Sequence, residues 1–198
     1  AAWSEGRTGY PIIDASMRAL HATGWLNFRM RAMLVSFASY HLWLHWREPS
    51  LFLARQFVDY EPGIHYCQHQ MQAGVTGINS IRIYSPIKQC MDQDPEGVFI
   101  KRWIPELRDV NPEFLHHPDC LHDLAPAYPR PVVNEKAARK SAADKIYAVR
   151  KGDAHRPAAD AVLNKHGSRK SGIDQSFRKR NGKGVITLRD ASQKEFPF

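Results

Sequence analysis

Trp3-Ser4-Glu5-Gly6-Arg7-Thr8-Gly9-Tyr10-Pro11-Ile12-Ile13-Asp14-Ala15-Ser16-Met17-Arg18 stands near the start of the chain. Its second half predicts a helix opening at Pro11. Proline suits the first helical position because the N–H it lacks would be unpaired there anyway. Asp14 then places an acid in the first turn, toward the positive end of the helix dipole. Ile13, Met17 and Leu20 recur at helical spacing. Gly24 can take the left-handed conformation that closes such a helix.

The next segment predicts a longer helix from about 27 to about 44, apolar on most sides and therefore central. Arg29 and Arg31 in its first turns would be buried and would require partners. A short helix is expected over 51–58, behind Pro49 and Ser50, then a turn at Asp59-Tyr60-Glu61-Pro62-Gly63. Residues 64–73 suit a helix, 74–94 read as loop, and 95 to about 107 reads as helix with Phe99, Ile100, Trp103 and Ile104 on one face. The proline-rich stretch 108–133 reads as irregular. Asn134 can cap a helix over 135–150 with Ala138, Ala142, Ile146 and Val149 as its stripe. Pro157 and Gly167 bracket a short last helix. No alternating strand pattern persists, so the expected class is all-α.

The chain has 198 residues, 43% of them apolar, enough for one domain with a real core. Mean hydropathy is −0.49, and no apolar run approaches the ~20 residues of a membrane helix, so no membrane partner is expected. Cys67, Cys90 and Cys120 are odd in number and widely spaced, which argues against a disulfide framework and for a reducing compartment, cytoplasmic or nuclear. The net charge of +8 is unevenly placed: residues 1–149 carry 16 Lys/Arg against 15 Asp/Glu, whereas 150–183 carry 10 against 3. The expected organisation is a helical domain over 1–150 and a basic extension over 151–198, whose Gly, Ser, Lys and Arg composition predicts disorder. A basic stripe suits an anionic partner, most simply nucleic acid, although a solvated tail gives the same composition.

The opening stretch resembles the signature W-x-x-G-x-T-G-Y-P, two branched residues, then D-A-x-M-R, of the DNA photolyase/cryptochrome family. The resemblance continues in order through Thr23-Gly24-Trp25, Arg29-Met30-Arg31, Trp46-Arg47-Glu48, Arg82-Ile83-Tyr84-Ser85-Pro86 with Gln89, and Asp94-Pro95-Glu96-Gly97 to Trp103-Ile104-Pro105-Glu106-Leu107-Arg108. It covers about 3–150 and implies the C-terminal part of the multi-helical FAD-binding domain. Ala1 is not an initiator Met, and the resemblance implies that the phosphate-gripping half of the FAD site and an N-terminal antenna domain lie elsewhere, the missing portion being a candidate partner.

In that family reduced FAD, excited by light, passes an electron to a pyrimidine dimer flipped out of DNA. The resemblance places Arg31 and Asp59 as the charge pair beside the flavin ring, within a cofactor segment that includes Tyr60, Glu61 and His65. A plain interhelical salt bridge is the alternative for that pair. Trp25, Phe28, Arg29, Ser85 and Gln89 fall on positions lining the lesion cavity, for contact with damaged duplex or single-stranded DNA, though Phe28 by itself reads as core. The family's electron relay of tryptophans keeps Trp46, while His69 stands at the flavin-proximal position.

Departures from the pattern complicate this. Phe28 replaces the amide that helps hold the lesion, Glu61 replaces an Asp, and His65 stands where typical members carry Asn. For His65 the alternative is a backbone hydrogen bond at a helix start. His65 and His69 share the spacing of a two-histidine metal site, but that signal alone is weak and no metal is expected. The functional expectation is light-driven repair of pyrimidine dimers, with a blue-light receptor lacking repair activity, or a non-catalytic helical module that binds nucleic acid, as rivals.

Overall fold

The computed structural model describes residues 1–76, 81–151, 157, 158, 161 and 165. Eight α-helices run through them: α1 Pro11–Thr23, α2 Phe28–Ser36, α3 Arg47–Ala54, α4 Pro62–Gln72, α5 Pro86–Gln93, α6 Val98–Trp103, α7 Pro118–Leu124 and α8 Glu135–Lys151. Among the described residues there is no strand, as the all-α reading expects. None of these helices is long and apolar enough to cross a membrane. The basic extension expected over 151–198, and the last short helix, lie almost wholly outside the described residues.

α1 is the centre of the fold. It starts at Pro11 and closes at Gly24, whose φ of 70° lets its N–H reach the Leu20 carbonyl. Ile12, Ile13, Met17 and Leu20 are almost fully buried against α2, α5 and α6. Asp14 does not act merely as a first-turn acid. Its carboxylate is completely buried and accepts hydrogen bonds from the Thr8 N–H and Oγ1 (both 2.7 Å), the Gly9 N–H (3.0 Å) and the Tyr128 hydroxyl (2.6 Å). A buried charge survives only with such a shell of donors. The Tyr10 hydroxyl donates to the Val133 carbonyl, so the opening motif clamps α1 onto the 128–133 segment. Gly9 makes that clamp possible: its φ is +79°, and an added Cβ would lie 2.5 Å from the Arg130 and Pro131 backbone. Arg18 extends the clamp by a bidentate pair with Glu106 at 2.7 and 3.0 Å.

Five expectations need correction. The short helix expected over 51–58 runs instead from Arg47 to Ala54, with Pro49 and Ser50 inside its first turn. The helix expected to reach 44 changes type at Ser36: residues Phe37–His41 form a π-helix, and the chain then turns through Trp43 at φ 52°. Residue spacing does not separate i+4 from i+5 bonding over so short a stretch, and α8 packs against the π-turn. The loop expected over 74–94 contains α5, where the Ser85 hydroxyl accepts from the Lys88 N–H and Pro86 occupies the first turn, the same signal that opens α1. The helix expected from 95 begins only at Val98, because Asp94 caps it through the Phe99 and Ile100 N–H groups across a left-handed Gly97. The 108–133 stretch is likewise not wholly irregular, since Pro118 starts α7. Asn134 caps α8 as expected, accepting from the Ala137 N–H at 3.0 Å. Of the α8 stripe Ala142 is buried, while Val149 is 69% exposed.

Candidate functional site

α2 and α4 meet across a cleft of about 350 Å³. Sequence places both helices simply: the Asn27 side chain accepts from the Met30 N–H to start α2, and the Glu61 carboxylate accepts from the Gly63 and Ile64 N–H groups to start α4. Trp25 and Phe28 stand at the cleft rim; Arg31, Asp59, Tyr60, Glu61, His65 and His69 line it.

Arg31 is fixed from three sides. Its Nε donates to the Leu26 carbonyl at 2.7 Å, its Nη2 donates to Asp59 Oδ2 at 2.8 Å, and its guanidinium lies 4.0 Å from the centre of the Phe57 ring. The hydrogen bond from Arg31 holds the Asp59 carboxyl below its ordinary range. The expected pairing is therefore present, but not buried as expected: the side chains keep 23% and 47% of their exposure. A pair this wet exerts much less force on the fold than a dry one. Arg29 is exposed rather than buried.

The opposite wall is a histidine pair organised by Ser50. The Ser50 hydroxyl donates its single proton to the Trp46 carbonyl at 2.7 Å, so His69 Nδ1, 2.8 Å from the same oxygen, must donate to it. The Ser50 carbonyl can only accept, so His65 Nε2 is the donor at 2.9 Å. Each ring is thereby assigned its tautomer, leaving His65 Nδ1 and His69 Nε2 as bare acceptors. The ring centroids are 3.9 Å apart. Burial, the neighbouring His65 and the Arg31 charge lower the pKa of His69 to about 3; burial and Arg31 also lower that of His65, against the pull of its Ser50 bond. Both rings are neutral at pH 7.

The structure brings some expected residues together and separates others. Phe28, read as core, is 59% exposed beside Trp25 at 55%, because only one face of α2 meets the fold in its first turn. Arg29, Ser85 and Gln89 do not line the cleft. Ser85 is spent capping α5, and Gln89 is buried on that helix with its Oε1 unpaired. The Trp46 ring is also outside the cleft; only its carbonyl connects to the wall, through Ser50. Gln68 and Gln72 line the cleft without having been singled out. With His65 and His69 they form a polar i, i+3, i+4, i+7 row on α4, the helical stripe that would have found them. Gln68 Oε1 is a buried acceptor with no partner, as expected of a site built for a ligand carrying N–H donors.

The comparisons bear on what such a cleft serves. Residues 1–148 match the family described as the FAD binding domain of DNA photolyase. The chain is 38% identical to the deoxyribodipyrimidine photo-lyase of Escherichia coli over 156 residues, covering 76% of this chain and 33% of the relative. It is 33% identical to a cryptochrome DASH of Gloeobacter violaceus, covering 67% and 28%. Among solved structures, an archaeal photolyase from Sulfolobus tokodaii containing two FAD molecules superposes with a TM-score of 0.70 at 38% identity, covering 74% of this chain and 34% of that one. The chain thus spans about a third of the length of the relatives it matches. With the clamp motif, the helical order and a matched region that includes both walls of the cleft, the chain belongs to the family of FAD-binding domains of DNA photolyase.

Proposed function

We propose that the chain corresponds to the C-terminal part of such a domain, that its α2–α4 cleft receives the ring end of FAD, and that the protein repairs pyrimidine dimers in DNA by light-driven electron transfer. The observation that supports this most is the anchored Arg31–Asp59 pair facing neutral His65 across the cleft. A volume of about 350 Å³ lies at the low end of the roughly 300–1,000 Å³ of small-molecule sites, matching a ring system rather than a whole dinucleotide. The donor set fits: a held cation, bare histidine acceptors and the unpaired Gln68 oxygen suit a planar ring with both N–H and C=O groups.

FAD, when bound, would supply the light absorption and the electron that splits the dimer. The protein's part is placement and charge. Arg31 sets a permanent positive charge at the wall, where negative charge on a reduced ring would be offset, and Asp59 holds it in place. His65 offers Nδ1, while Tyr60 and Glu61 shape the turn into α4. Trp25 and Phe28 give aromatic faces at the rim for an extruded base, which must leave the duplex stack to reach a buried cofactor. Arg29, exposed beside them, would contact phosphate in this reading. Ser85 acts on DNA only indirectly in this reading, by capping α5, and Gln89, buried on that helix, makes no direct contact. A relay role for Trp46 would run across the Ser50–His69 hydrogen bond.

Phe28, where typical members carry an amide, favours a second reading: a blue-light receptor that keeps the cofactor and does not repair. The deciding experiment loads the protein with FAD and exposes it to an oligonucleotide carrying one pyrimidine dimer under blue light. Repaired strand supports the first reading. FAD binding without repair supports the second. Failure to bind the flavin ring, offered as FAD or as riboflavin, removes both and leaves a non-catalytic module; binding that Arg31→Leu does not weaken would mean that the ring lies outside this cleft.

A further inference from the structure

Away from the cleft, α8 carries a feature that the flavin reading does not use. Lys136, Arg139, Lys140, Ala143 and Tyr147 recur at i, i+3, i+4, i+7 and i+11, so they form one stripe along the helix. With Ile81 and Ile83 as the facing wall they line a second groove of about 350 Å³. The stripe rises about 16 Å at 1.5 Å per residue. Its lining contains three cations and no acid. Arg139 keeps one weak tie, its Nε lying 3.4 Å from the buried Glu135 Oε1, and its side chain is still 46% exposed. Tyr147 is 52% exposed, with its ring available at the end of the groove. Lys145 belongs to a different face, over the Trp43 ring at 4.4 Å.

We propose that this groove binds single-stranded nucleic acid, with Lys136, Arg139 and Lys140 on consecutive phosphates and a base stacked on Tyr147 between it and the isoleucine wall. Charge complementarity selects a polyanion: Glu135 offsets part of the Arg139 charge, while among the described residues Lys136 and Lys140 have no acidic partner. The aromatic ring and the apolar wall select unpaired bases over duplex: a stacking face is of no use to bases already stacked on both sides. The groove shares no lining residue with the α2–α4 cleft, so its binding is independent of damage and of the flavin.

The test uses the full chain and fluorescein-labelled oligo(dT), read by anisotropy across a salt series. Each phosphate neutralised on a single strand contributes about −0.7 to the slope of log K against log salt. Lys136→Gln/Lys140→Gln should therefore make the slope shallower by about 1.4. Tyr147→Ala should weaken binding roughly tenfold at every salt concentration without changing the slope, because stacking releases no counterions. Circular dichroism and the Arg31-dependent FAD titration should be unchanged in both variants, which separates this groove from the cleft. If both variants bind oligo(dT) as the parent does, the groove is not a binding site and the proposal falls. If the lysine variant weakens while Tyr147→Ala does not, or if polyglutamate displaces oligo(dT) as readily as poly(dT) does, the groove recognises negative charge alone and the nucleic-acid assignment is wrong.

Discussion

His69 should make the fold measurably sensitive to mild acid. Its ring is 4% exposed, hydrogen-bonded to Ser50 and packed on His65, and its pKa falls to about 3 from an ordinary 6.5. The native state therefore resists the proton while the unfolded chain takes it up. Between about pH 6.5 and 3 the unfolded state binds more protons, so stability is complete above this window and is lost as pH falls through it. At pH 5 the unfolded ring is almost wholly charged and the native ring almost wholly neutral. At 1.36 kcal/mol per unit, the one and a half units between 6.5 and 5 amount to about 2 kcal/mol. For a urea m-value of about 2 kcal/mol/M, that moves the midpoint by about 1 M. His65 and His41 are also depressed by burial and act in the same direction, so the parent alone does not isolate His69. His69→Asn does: the amide can still donate to the Ser50 hydroxyl, yet it has no proton to gain. Urea unfolding at pH 7.5 and pH 5 should show the parent losing about 2 kcal/mol more than the variant. Equal losses would mean that the ring opens to water or is protonated in place, and the tautomer assignment built on Ser50 would fail with it.

Tyr128→Phe removes one donor from the buried Asp14 carboxylate and should cost about 2 kcal/mol in chemical denaturation, within the range for hydrogen bonds to charged groups; a loss under about 0.5 kcal/mol would show that the clamp does not depend on this contact. Gly9→Ala combines a positive φ with a clash against the backbone of Arg130 and Pro131, and should destabilise by more than the ~1–2 kcal/mol of the left-handed conformation alone, checked by its melting temperature. Asp59→Ala should change stability by no more than about 1 kcal/mol, because the pair is partly solvated, while FAD affinity falls at least as far as a displaced Arg31 requires. A large loss of stability with unchanged FAD binding would mean that the pair is structural and that the ring lies elsewhere.

Some of this was legible in the sequence because it depends on neighbours along the chain. The start of α1 at Pro11, its end at Gly24, the Asn134 cap of α8 and the all-α class follow from backbone groups that residues a few positions away satisfy. The family was legible too, in the order of its motifs. The Arg31–Asp59 contact came only through that resemblance, since 28 positions separate the two residues. Local signals were also misread: Pro86 sits in the first turn of α5 as Pro11 does in α1, with a Ser85 cap added, but the surrounding glycine and polar residues hid it.

What the tertiary structure decided is which groups become dry and what they then face. Asp14 looks like a dipole acid until Tyr128, 114 positions away, closes over it. Phe28 looks like core until α2 turns that face to the cleft rim, and the π-turn after Ser36 appears only where α8 packs on it. Ser50, a residue with no motif around it, sets the tautomers of two histidines because folding brings its hydroxyl and its carbonyl between α3 and α4. Burial, hydrogen-bond direction and proton affinity depend on contacts between distant segments, and no spacing along the chain encodes them.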